Sequence, residues 1–347
     1  MQISFLGDIS LNDKYIELYR DGVDPFKIFD GYLKKSDFVV GNLECITVGR
    51  YGVNENKKPR LTTTADTLNY LTSISLNVAC LAQNHIYDHL EDGLAQTIKF
   101  LDNNNISHLG AGFTKEEAFK HIILTKNGID IGLLNYVDFD TNPNIPDGAQ
   151  VLLNYFNLDK ALDEIRGLRR KVSYVVVSLH WGGRVEGGFY PDWNQPKIAR
   201  LLIDAGANMI VGHHSHTIQP FEVYKGKYIF YSLGNFCFSD YTFEGKFVHM
   251  PKRRMITMIL TVDFNKEKII PYLHFYKNCG DRYIPIPRYF FNLRIRNYIF
   301  EYILRFKSFW FIYYLIKRKF LPFYLFILRK DIGLFTKLKR ILKSVNK

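Results

Sequence analysis

Short, almost continuously apolar runs alternate with amphipathic segments along residues 1 to 285, and this alternation constrains the fold more than any other feature of the sequence. Continuous apolar runs are typical of strands buried on both faces, which occur mainly in sheets covered by helices. We therefore predict an α/β fold, with strands at ISFLG, DFVVG, LNVACLA, IGLLNY, SYVVVSL, NMIVG and KYIFYSL. Helices are predicted at GLAQTIKFLDNN and QPKIARLLIDAGAN, the second ending at Gly206.

Residues of the types that bind metal ions follow five of these runs. They are Asp8, the pair Asn42 and Glu44, the pair Asn84 and His85, His180, and the cluster His213, His214 and His216. Each alone could be a helix cap, a turn residue or a hydrogen-bonded core histidine. Ligands of open α/β sheets bind at the carboxyl ends of strands, so five such ends are predicted to meet in one pocket. Together they indicate a metal site.

The cysteines and the N-terminal segment bear on the cellular compartment. Cys45, Cys80, Cys237 and Cys279 lie far apart, each in or beside an apolar segment, and they form no C-x-x-C pair. This spacing predicts reduced core thiols rather than a disulfide framework or a zinc knuckle. The segment MQISFLGDIS has neither a basic region nor a long apolar region, so we expect no signal peptide and a cytoplasmic location.

The positive charge is concentrated near the C-terminus. Residues 288–347 contain fifteen Lys and Arg against two acids, Glu301 and Asp331, and therefore carry +13 in a chain whose net charge is +12. The apolar runs FWFIYYLI and FLPFYLFIL are too short to span a bilayer, so we expect no transmembrane helix. We favour a helical tail lying on an anionic membrane surface.

Two other interpretations of this tail are open. It could be a helical subdomain whose aromatic side chains pack on the main domain or in a dimer. It could also bind nucleic acid, but contiguous blocks of aromatic and aliphatic residues suit lipid better than base stacking. The one-sided charge favours the membrane surface over a purely structural subdomain.

Several motifs, taken in order, resemble those of CapA-like proteins of bacterial poly-γ-glutamate and capsule production. They are FLGDISL, GNLE, LAQNHIYDHLEDG, GAGFTKEEAF, SLHWGGR, Pro191 with Gln195, LIDAGANMIVGHHSHTIQP and YSLGNFCF. The CapA-like family is in turn similar to the calcineurin-like metallophosphoesterases. The resemblance implies a four-layer α/β/β/α sandwich in residues 1–285 with a two-metal site at its strand ends. Residues 286–347 form the basic aromatic helical tail, which lies outside the resemblance.

The resemblance also implies roles for individual residues. The metal ligands would be Asp8, Glu44 as the bridging acid, Asn84, His180, His214 and His216. His85 would protonate the leaving group, and Asp88 would orient it. Two divalent ions, of Mn, Fe or Zn, would stabilise the attacking and leaving oxygens of phosphoryl transfer.

Some positions depart from the family pattern. Ser10 stands where superfamily phosphoesterases usually have histidine, and His213 could compensate for it. Arg184 stands where CapA-like chains commonly have glutamate, and Glu186 follows two positions later. Asn235 in SLGNF is expected to hold the histidine loop by hydrogen bonds rather than to bind metal.

The implied function is that of a metal-dependent hydrolase acting on a phosphoester or related anionic group during assembly of a capsule, poly-γ-glutamate or another cell-surface polymer. The expected partners are the anionic polymer or its precursor, other polymer-synthesis proteins, and the inner face of the cytoplasmic membrane through residues 288–347. Two other classes are open. One is a non-catalytic scaffold with this fold in a synthesis or export complex, and the other is a metal-dependent amidase or peptidase acting on γ-linked glutamate.

Overall fold

The computed structural model describes residues 1–243, 245–320 and 324. The chain forms two compact units, Met1–Asn297 and Tyr298–Lys347. The second apolar run of the tail, FLPFYLFIL, lies outside the described residues except for Phe320 and Tyr324. The domain boundary expected after residue 285 stays a prediction.

The apolar runs form strands and the amphipathic segments form helices, as the alternation predicts. In chain order the described strands are β1 (Gln2–Ile9), β2 (Phe38–Leu43), β3 (Ile46–Thr47), β4 (Thr62–Thr63), β5 (Val78–Cys80), β6 (Ser107–Leu109), β7 (Ala111–Gly112), β8 (Ile122–Lys126), β9 (Ile129–Val137), β10 (Leu152–Leu153), β11 (Tyr174–His180), β12 (Met209–His213), β13 (Phe221–Tyr224), β14 (Lys227–Phe230), β15 (Asn235–Cys237), β16 (Tyr241–Phe243), β17 (Lys246–Val248), β18 (Ile256–Phe264), β19 (Ile269–Asn278) and β20 (Tyr283–Pro285).

The described α-helices are α1 (Lys14–Arg20), α2 (Asp30–Leu33), α3 (Tyr70–Ser73), α4 (Leu90–Asn103), α5 (Lys115–Phe119), α6 (Leu158–Arg169), α7 (Gln195–Asp204), α8 (Tyr289–Ile299) and α9 (Lys307–Leu315). Both predicted helices are present, as α4 and α7. Gly206 follows α7 with φ +122°, a backbone conformation that residues with a side chain rarely adopt.

The first sheet has the strand order β20-β19-β18-β1-β2-β5-β6. Strands β1, β2, β5 and β6 are parallel, so their carboxyl ends share one edge. The register places Asp8 beside Asn42 of β2, and the short strand β15 also pairs with β1 and places Asn235 beside Asp8. The pairing of the strands therefore brings three polar residues together at one edge.

The second sheet has the strand order β13-β14-β12-β11-β9-β8. Its four central strands, β14, β12, β11 and β9, are parallel. The register places His180, the last residue of β11, beside His213, the last residue of β12. Two histidines thus leave this sheet side by side.

The two sheets pack face to face with helices on both outer faces. The core between them contains Phe5 and Val40 of the first sheet together with Val176 and Val211 of the second. On the outer face of the first sheet, the core includes side chains of α1 and α4. On the outer face of the second, α6 and α7 contact β11 and β12. This arrangement confirms the four-layer α/β/β/α sandwich.

The cysteine prediction is correct for three thiols and wrong for the fourth. Cys45, Cys80 and Cys237 are buried and unpaired, whereas Cys279 is exposed between β19 and β20. Cys279 stands in the polar turn KNCGD, beyond the apolar run of β19, so its side chain does not enter the core. Among the residues that the structure describes, no helix combines the length and hydropathy needed to cross a membrane.

A candidate metal centre

The predicted ligands lie at one edge of the sandwich, where the parallel strands of both sheets end. Asp8 and Glu44 come from the first sheet, while His180 and His213 come from the second. All four are buried, with exposed fractions between 0% and 3%. The sequence thus brings acids and imidazoles from opposite layers into one buried cluster.

Asp8 is surrounded by nitrogen atoms. Asn42 Nδ2 donates to Asp8 Oδ1 over 3.0 Å, His213 Nδ1 lies 3.3 Å from Oδ1, and His216 Nδ1 lies 3.3 Å from Oδ2. Burial alone would raise the pKa of Asp8, but the hydrogen bonds and charges of His213 and His216 outweigh it and hold the pKa well below 3.8. Asp8 is therefore an ionised carboxylate.

Glu44 is a buried carboxylate without hydrogen bonds. Neither Oε1 nor Oε2 has a partner in the described protein. The nearest imidazole nitrogens are His216 Nε2 at 3.6 Å and His180 Nε2 at 3.8 Å from Oε1. Burial, and then the charge of Asp8, raise the pKa of Glu44 well above 4.5. A buried carboxyl group without hydrogen bonds destabilises the folded protein unless a cation binds it.

Two groups of side chains have the spacing needed to hold a metal ion, and they share Glu44. One comprises Glu44, His180 and His214, and the other comprises Asp8, Glu44 and His216, with the ligand atoms of each group within 4.8 Å of one another. Mixed carboxylate and imidazole donors without thiolate suit divalent first-row metals. The unpartnered oxygens of the shared acid fit a site for two ions.

The loop after β12 turns its histidines into this cluster. His214 has φ 84° and His216 has φ 56°, both in the left-handed region that residues with side chains seldom occupy. His216 Nδ1 lies 2.9 Å from Asn235 Oδ1, and the His214 backbone N donates to Asp8 Oδ2 over 3.3 Å. Asn235 thus contacts the histidine loop, and its role in holding that loop stays a prediction.

His180 lies close to two further side chains that could bind metal, Asn84 and His214. Its Nε2 is 2.9 Å from Asn84 Oδ1 and 3.0 Å from His214 Nδ1. Burial lowers the pKa of His180 well below 6.5 and lowers that of His214 to about 3. Both rings are neutral at pH 7, which is the form that binds metal.

His85 and Asp88 form a buried pair beside the metal-binding groups. His85 Nδ1 lies 2.7 Å from Asp88 Oδ2, which also accepts a hydrogen bond of 2.7 Å from the Leu61 backbone N. Burial lowers the pKa of His85, and the negative charge of Asp88 opposes that shift. Asp88 fixes the imidazole ring through Nδ1, so Nε2 is the ring nitrogen that Asp88 does not contact.

A cavity of about 240 Å³ opens onto the cluster. Its lining includes the predicted site residues Asn84, His85, Glu186, His214 and His216. Part of the wall is cationic, since Lys57 and Arg254 also line it. A small anion could therefore reach both the metal-binding groups and these cations.

Three residues singled out from the sequence have other contacts. Arg184 does not line the cavity, and its Nε lies 2.8 Å from Asp192 Oδ2. Glu186 does line it, but pairs with Arg254 Nη2 at 2.9 Å. Ser10 donates to Asn12 Oδ1 over 2.8 Å.

The site list drawn from the sequence omits Asn42, Lys57 and Arg254. Asn42 was noted with Glu44 at the end of its strand, but the resemblance implied no role for it. In the structure its Nδ2 lies 3.0 Å from Asp8 Oδ1 and 3.3 Å from His180 Nδ1. Lys57 stands in a loop and Arg254 in the short 3₁₀ helix Lys252–Met255, and neither segment carries a motif. Only the folded structure shows that these segments reach the cavity.

Comparison with known proteins gives a family match over most of the chain. Residues 2–240 match the family model "Bacterial capsule synthesis protein PGA_cap". The PGA biosynthesis protein CapA of Bacillus subtilis (strain 168) is 32% identical over 250 residues, which are 69% of this chain and 64% of that protein. A Mycobacterium tuberculosis (strain CDC 1551 / Oshkosh) protein named "Probable polyglutamine synthesis accessory protein" is 29% identical over 182 residues, covering 49% of this chain and 47% of that protein.

The chain thus spans less than two thirds of the length of these curated relatives. Among solved structures, the NAD nucleotidase of Haemophilus influenzae aligns with a TM-score of 0.45 and 14% identity, over 82% of this chain and 54% of that one. That similarity is too low to bear on function.

Proposed function

The chain belongs to the bacterial capsule synthesis protein family PGA_cap, and from that premise we propose that it is a hydrolase of anionic substrates that uses two divalent metal ions. The observation that carries the proposal is Glu44. Its buried carboxylate belongs to both metal-binding groups, and neither of its oxygens has a hydrogen bond within the described chain. A bridging acid between two cations is the role that accounts for this environment.

The proposed ligands divide between two ions. Asp8 and His216 would hold one, His180 and His214 the other, and Glu44 would bind both. Asn84 Oδ1 stands 2.9 Å from His180 Nε2 and is a further oxygen donor for the second ion. His213, 3.3 Å from Asp8 Oδ1, is the imidazole available to the first ion in place of the histidine that Ser10 replaces. Divalent Mn, Fe or Zn suits these donors.

Bound together, the two ions would supply charge stabilisation for the attacking and leaving oxygens and a water molecule acidic enough to react at neutral pH. The chain's own residues do the rest. Asp88 accepts the Nδ1 proton of His85, so that Nε2 of the ring can exchange a proton with the leaving group in the cavity. No nucleophilic side chain is needed for this chemistry.

The metabolic context is proposed from the relatives. Because relatives are named for PGA and capsule biosynthesis, we place the reaction in the assembly of an anionic cell-surface polymer. The substrate would be the polymer or its precursor, and the partners would be other proteins of polymer synthesis.

Metal analysis combined with a substrate screen tests the enzyme proposal. The purified full chain should retain close to two equivalents of metal and, with Mn²⁺, should hydrolyse bis-p-nitrophenyl phosphate. His85→Ala should lower turnover by roughly a hundredfold, in the range typical of a lost general acid, without loss of metal. His249→Ala is the matched control, because the His249 side chain is 81% exposed and lies outside the cavity lining. The proposal is contradicted if the purified protein holds no metal and if neither it nor His85→Ala hydrolyses the substrate.

A γ-glutamyl peptide in the same screen addresses a different activity. Turnover of the peptide but not of the phosphoester would reassign the site as an amidase or peptidase.

A non-catalytic scaffold is the second candidate, and two observations favour it. The M. tuberculosis relative is named an accessory protein, and Ser10 and Arg184 stand where related enzymes have ligand-type residues. Under this alternative the protein binds polymer-synthesis enzymes and its metal centre is structural. The scaffold alternative is supported if the protein retains metal but turns over no substrate, and if cells that carry His85→Ala assemble capsule normally.

We also propose that the helical tail lies on the inner surface of the cytoplasmic membrane. The described part of this unit exposes large apolar side chains on α9, among them Phe309, Phe311 and Ile312, which are each 53% or 54% exposed. In the sequence they stand between the basic residues Arg305 and Lys307 on one side and Lys317, Arg318 and Lys319 on the other, within a segment of high positive charge. Apolar groups that enter the headgroup region and cations that meet anionic lipid act together in such helices.

Vesicle sedimentation tests this membrane proposal. The full chain should sediment with phosphatidylglycerol vesicles and remain in solution with phosphatidylcholine vesicles. Replacing Phe311 and Ile312 by Glu should abolish sedimentation, whereas Tyr51→Glu, a change at a side chain that is 80% exposed in the first unit, should not. Equal sedimentation of all variants rules the proposal out.

A further inference from the structure

Lys57 is a buried lysine in the wall of the cavity. The residue is only 4% exposed and lies in the segment between β3 and β4. It shares the cavity lining with His85 and His214, and its charge lowers the pKa of both rings. The ammonium group is therefore close to the metal-binding groups rather than in solvent.

The loop that carries Lys57 is fixed by the same residue that orients His85. The Asn54 backbone N donates to Asp88 O over 2.9 Å, and the Leu61 backbone N donates to Asp88 Oδ2 over 2.7 Å. Asp88 thus positions the loop and the imidazole together. Lys57 and His85 are held in a set relation to each other before any ligand arrives.

The Lys57 ammonium is only partly satisfied by the protein. Nζ donates to Asn142 O over 2.8 Å, and within residues 1–243 and 245–320 no carboxylate forms an ion pair with it. An ammonium has three donors, so two remain for a ligand. Buried lysines are almost always paired. Arg254, by contrast, already pairs with Glu186 at 2.9 Å.

We propose that Lys57 is the anion-recognition residue of this cavity, and that the substrate carries a free anionic oxygen beside the bond that is hydrolysed. The unused Nζ donors bind that oxygen while the metal-binding groups hold the reacting group. This inference rests on the proposed function and specifies its substrate class. Neutral esters lack the group that Lys57 binds and should be poor ligands.

Binding of inorganic phosphate to the metal-loaded full chain, measured by calorimetry, tests the role of Lys57. Lys57→Met keeps the length of the side chain and removes its charge, and Lys57→Gln keeps a donor for Asn142 O. Both should weaken phosphate binding by about tenfold or more, the effect expected for a lost charge-assisted hydrogen bond. Lys57→Arg should restore part of it.

Arg60→Met is the matched control. It removes a cation from the same loop, but Arg60 bonds to Asn54 O and lies outside the cavity lining. The phosphate affinity of this variant should stay within about twofold of the unchanged protein, because Arg60 does not reach the cavity and its ion pair with the exposed Glu55 contributes little to the fold. Thermal unfolding and metal content of every variant separate loss of the anion site from loss of the fold.

The outcomes distinguish this inference from the proposed function. The role of Lys57 alone is overturned if the unchanged protein turns over substrate and Lys57→Gln binds phosphate with unchanged affinity. It is also overturned if the unchanged protein does not bind phosphate. Weakened phosphate binding in Lys57→Gln together with no turnover of any substrate leaves the anion site in place and refutes the hydrolase.

Discussion

His85 Nδ1 and Asp88 Oδ2 lie 2.7 Å apart, three positions from each other in sequence, and both side chains are buried. A carboxylate at this distance fixes the tautomer and the orientation of the ring. Because Asp88 Oδ2 also accepts from the Leu61 backbone N, a single oxygen couples the orientation of the imidazole to the position of the neighbouring loop.

Asp88→Asn should lower kcat while leaving the metal content unchanged. The amide oxygen can still accept from the Leu61 N–H and from His85 Nδ1, but the amide carries no negative charge, so the protonated imidazole loses the carboxylate that stabilises it. Loss of general-acid function of this kind costs about a hundredfold. Steady-state kinetics at saturating substrate with parallel metal analysis checks this prediction. An unchanged kcat would show that Asp88 only anchors the loop.

Glu44→Gln should abolish binding of both metal ions, whereas His214→Gln and His216→Gln should each leave one. The reason is that Glu44 belongs to both groups, while each histidine belongs to one. Metal stoichiometry of the three purified variants is the measurement. If Glu44→Gln still holds a full equivalent, the carboxylate does not bridge.

Gly212→Ala should destabilise the protein by about 1 to 3 kcal/mol, the range for overpacking a core. A methyl group at Gly212 would lie 2.0 Å from Tyr231 O and 2.7 Å from Trp181 Nε1. Gly167→Ala in α6 is the control, since nothing lies within 4 Å of its added Cβ, and alanine should stabilise that helix by about 0.5 to 1 kcal/mol. Urea unfolding of both variants gives the comparison. Equal free energies of unfolding would mean that Tyr231 and Trp181 can move away from Gly212 without loss of stability.

His108→Gln should flatten the dependence of stability on pH below neutrality. Burial, and then the charge of Lys120, lower the pKa of His108 below 6.5 in the folded protein. Below pH 6.5 the unfolded chain therefore binds a proton at His108 that the folded protein does not bind. The contribution of His108 to the free energy of unfolding is thus fully present above pH 6.5 and is lost as the pH falls below it.

Urea unfolding at about pH 7.5 and about pH 5.5, on either side of the ordinary histidine pKa, measures the slope. The His108→Gln slope should fall by up to about 1.4 kcal/mol per pH unit. His249→Gln, at an exposed position, should match the unchanged protein. A steeper slope in His108→Gln would contradict the predicted direction.

The apolar runs predicted an α/β fold because strands that are buried on both faces have continuously apolar sequences. The four-layer sandwich was implied by the resemblance to CapA-like proteins. The sequence also predicted that Asp8, Glu44, His180 and the histidine loop meet, because parallel strands end at one edge. The sequence could not predict that Lys57 lines the cavity, since no periodicity indicates where a loop between two short strands will fold. Arg184 was singled out by its place in a motif, yet its contact with Asp192 depends on a turn that only the folded chain shows.

The central position of β1 has a consequence for biosynthesis. Its partner β2 follows within the next few dozen residues, but its other neighbours, β15 and β18, come much later in the chain. The contact between Met1 and Phe264 at the start of β1 joins residues 263 positions apart. While the ribosome is still making the intervening chain, one edge of β1 is unpaired and the acid at its end lacks the histidines of the opposite layer. Closure of that edge and assembly of the proposed ligand set must follow synthesis of most of the first unit, so the proposed metal ions would bind late in the maturation of the nascent chain.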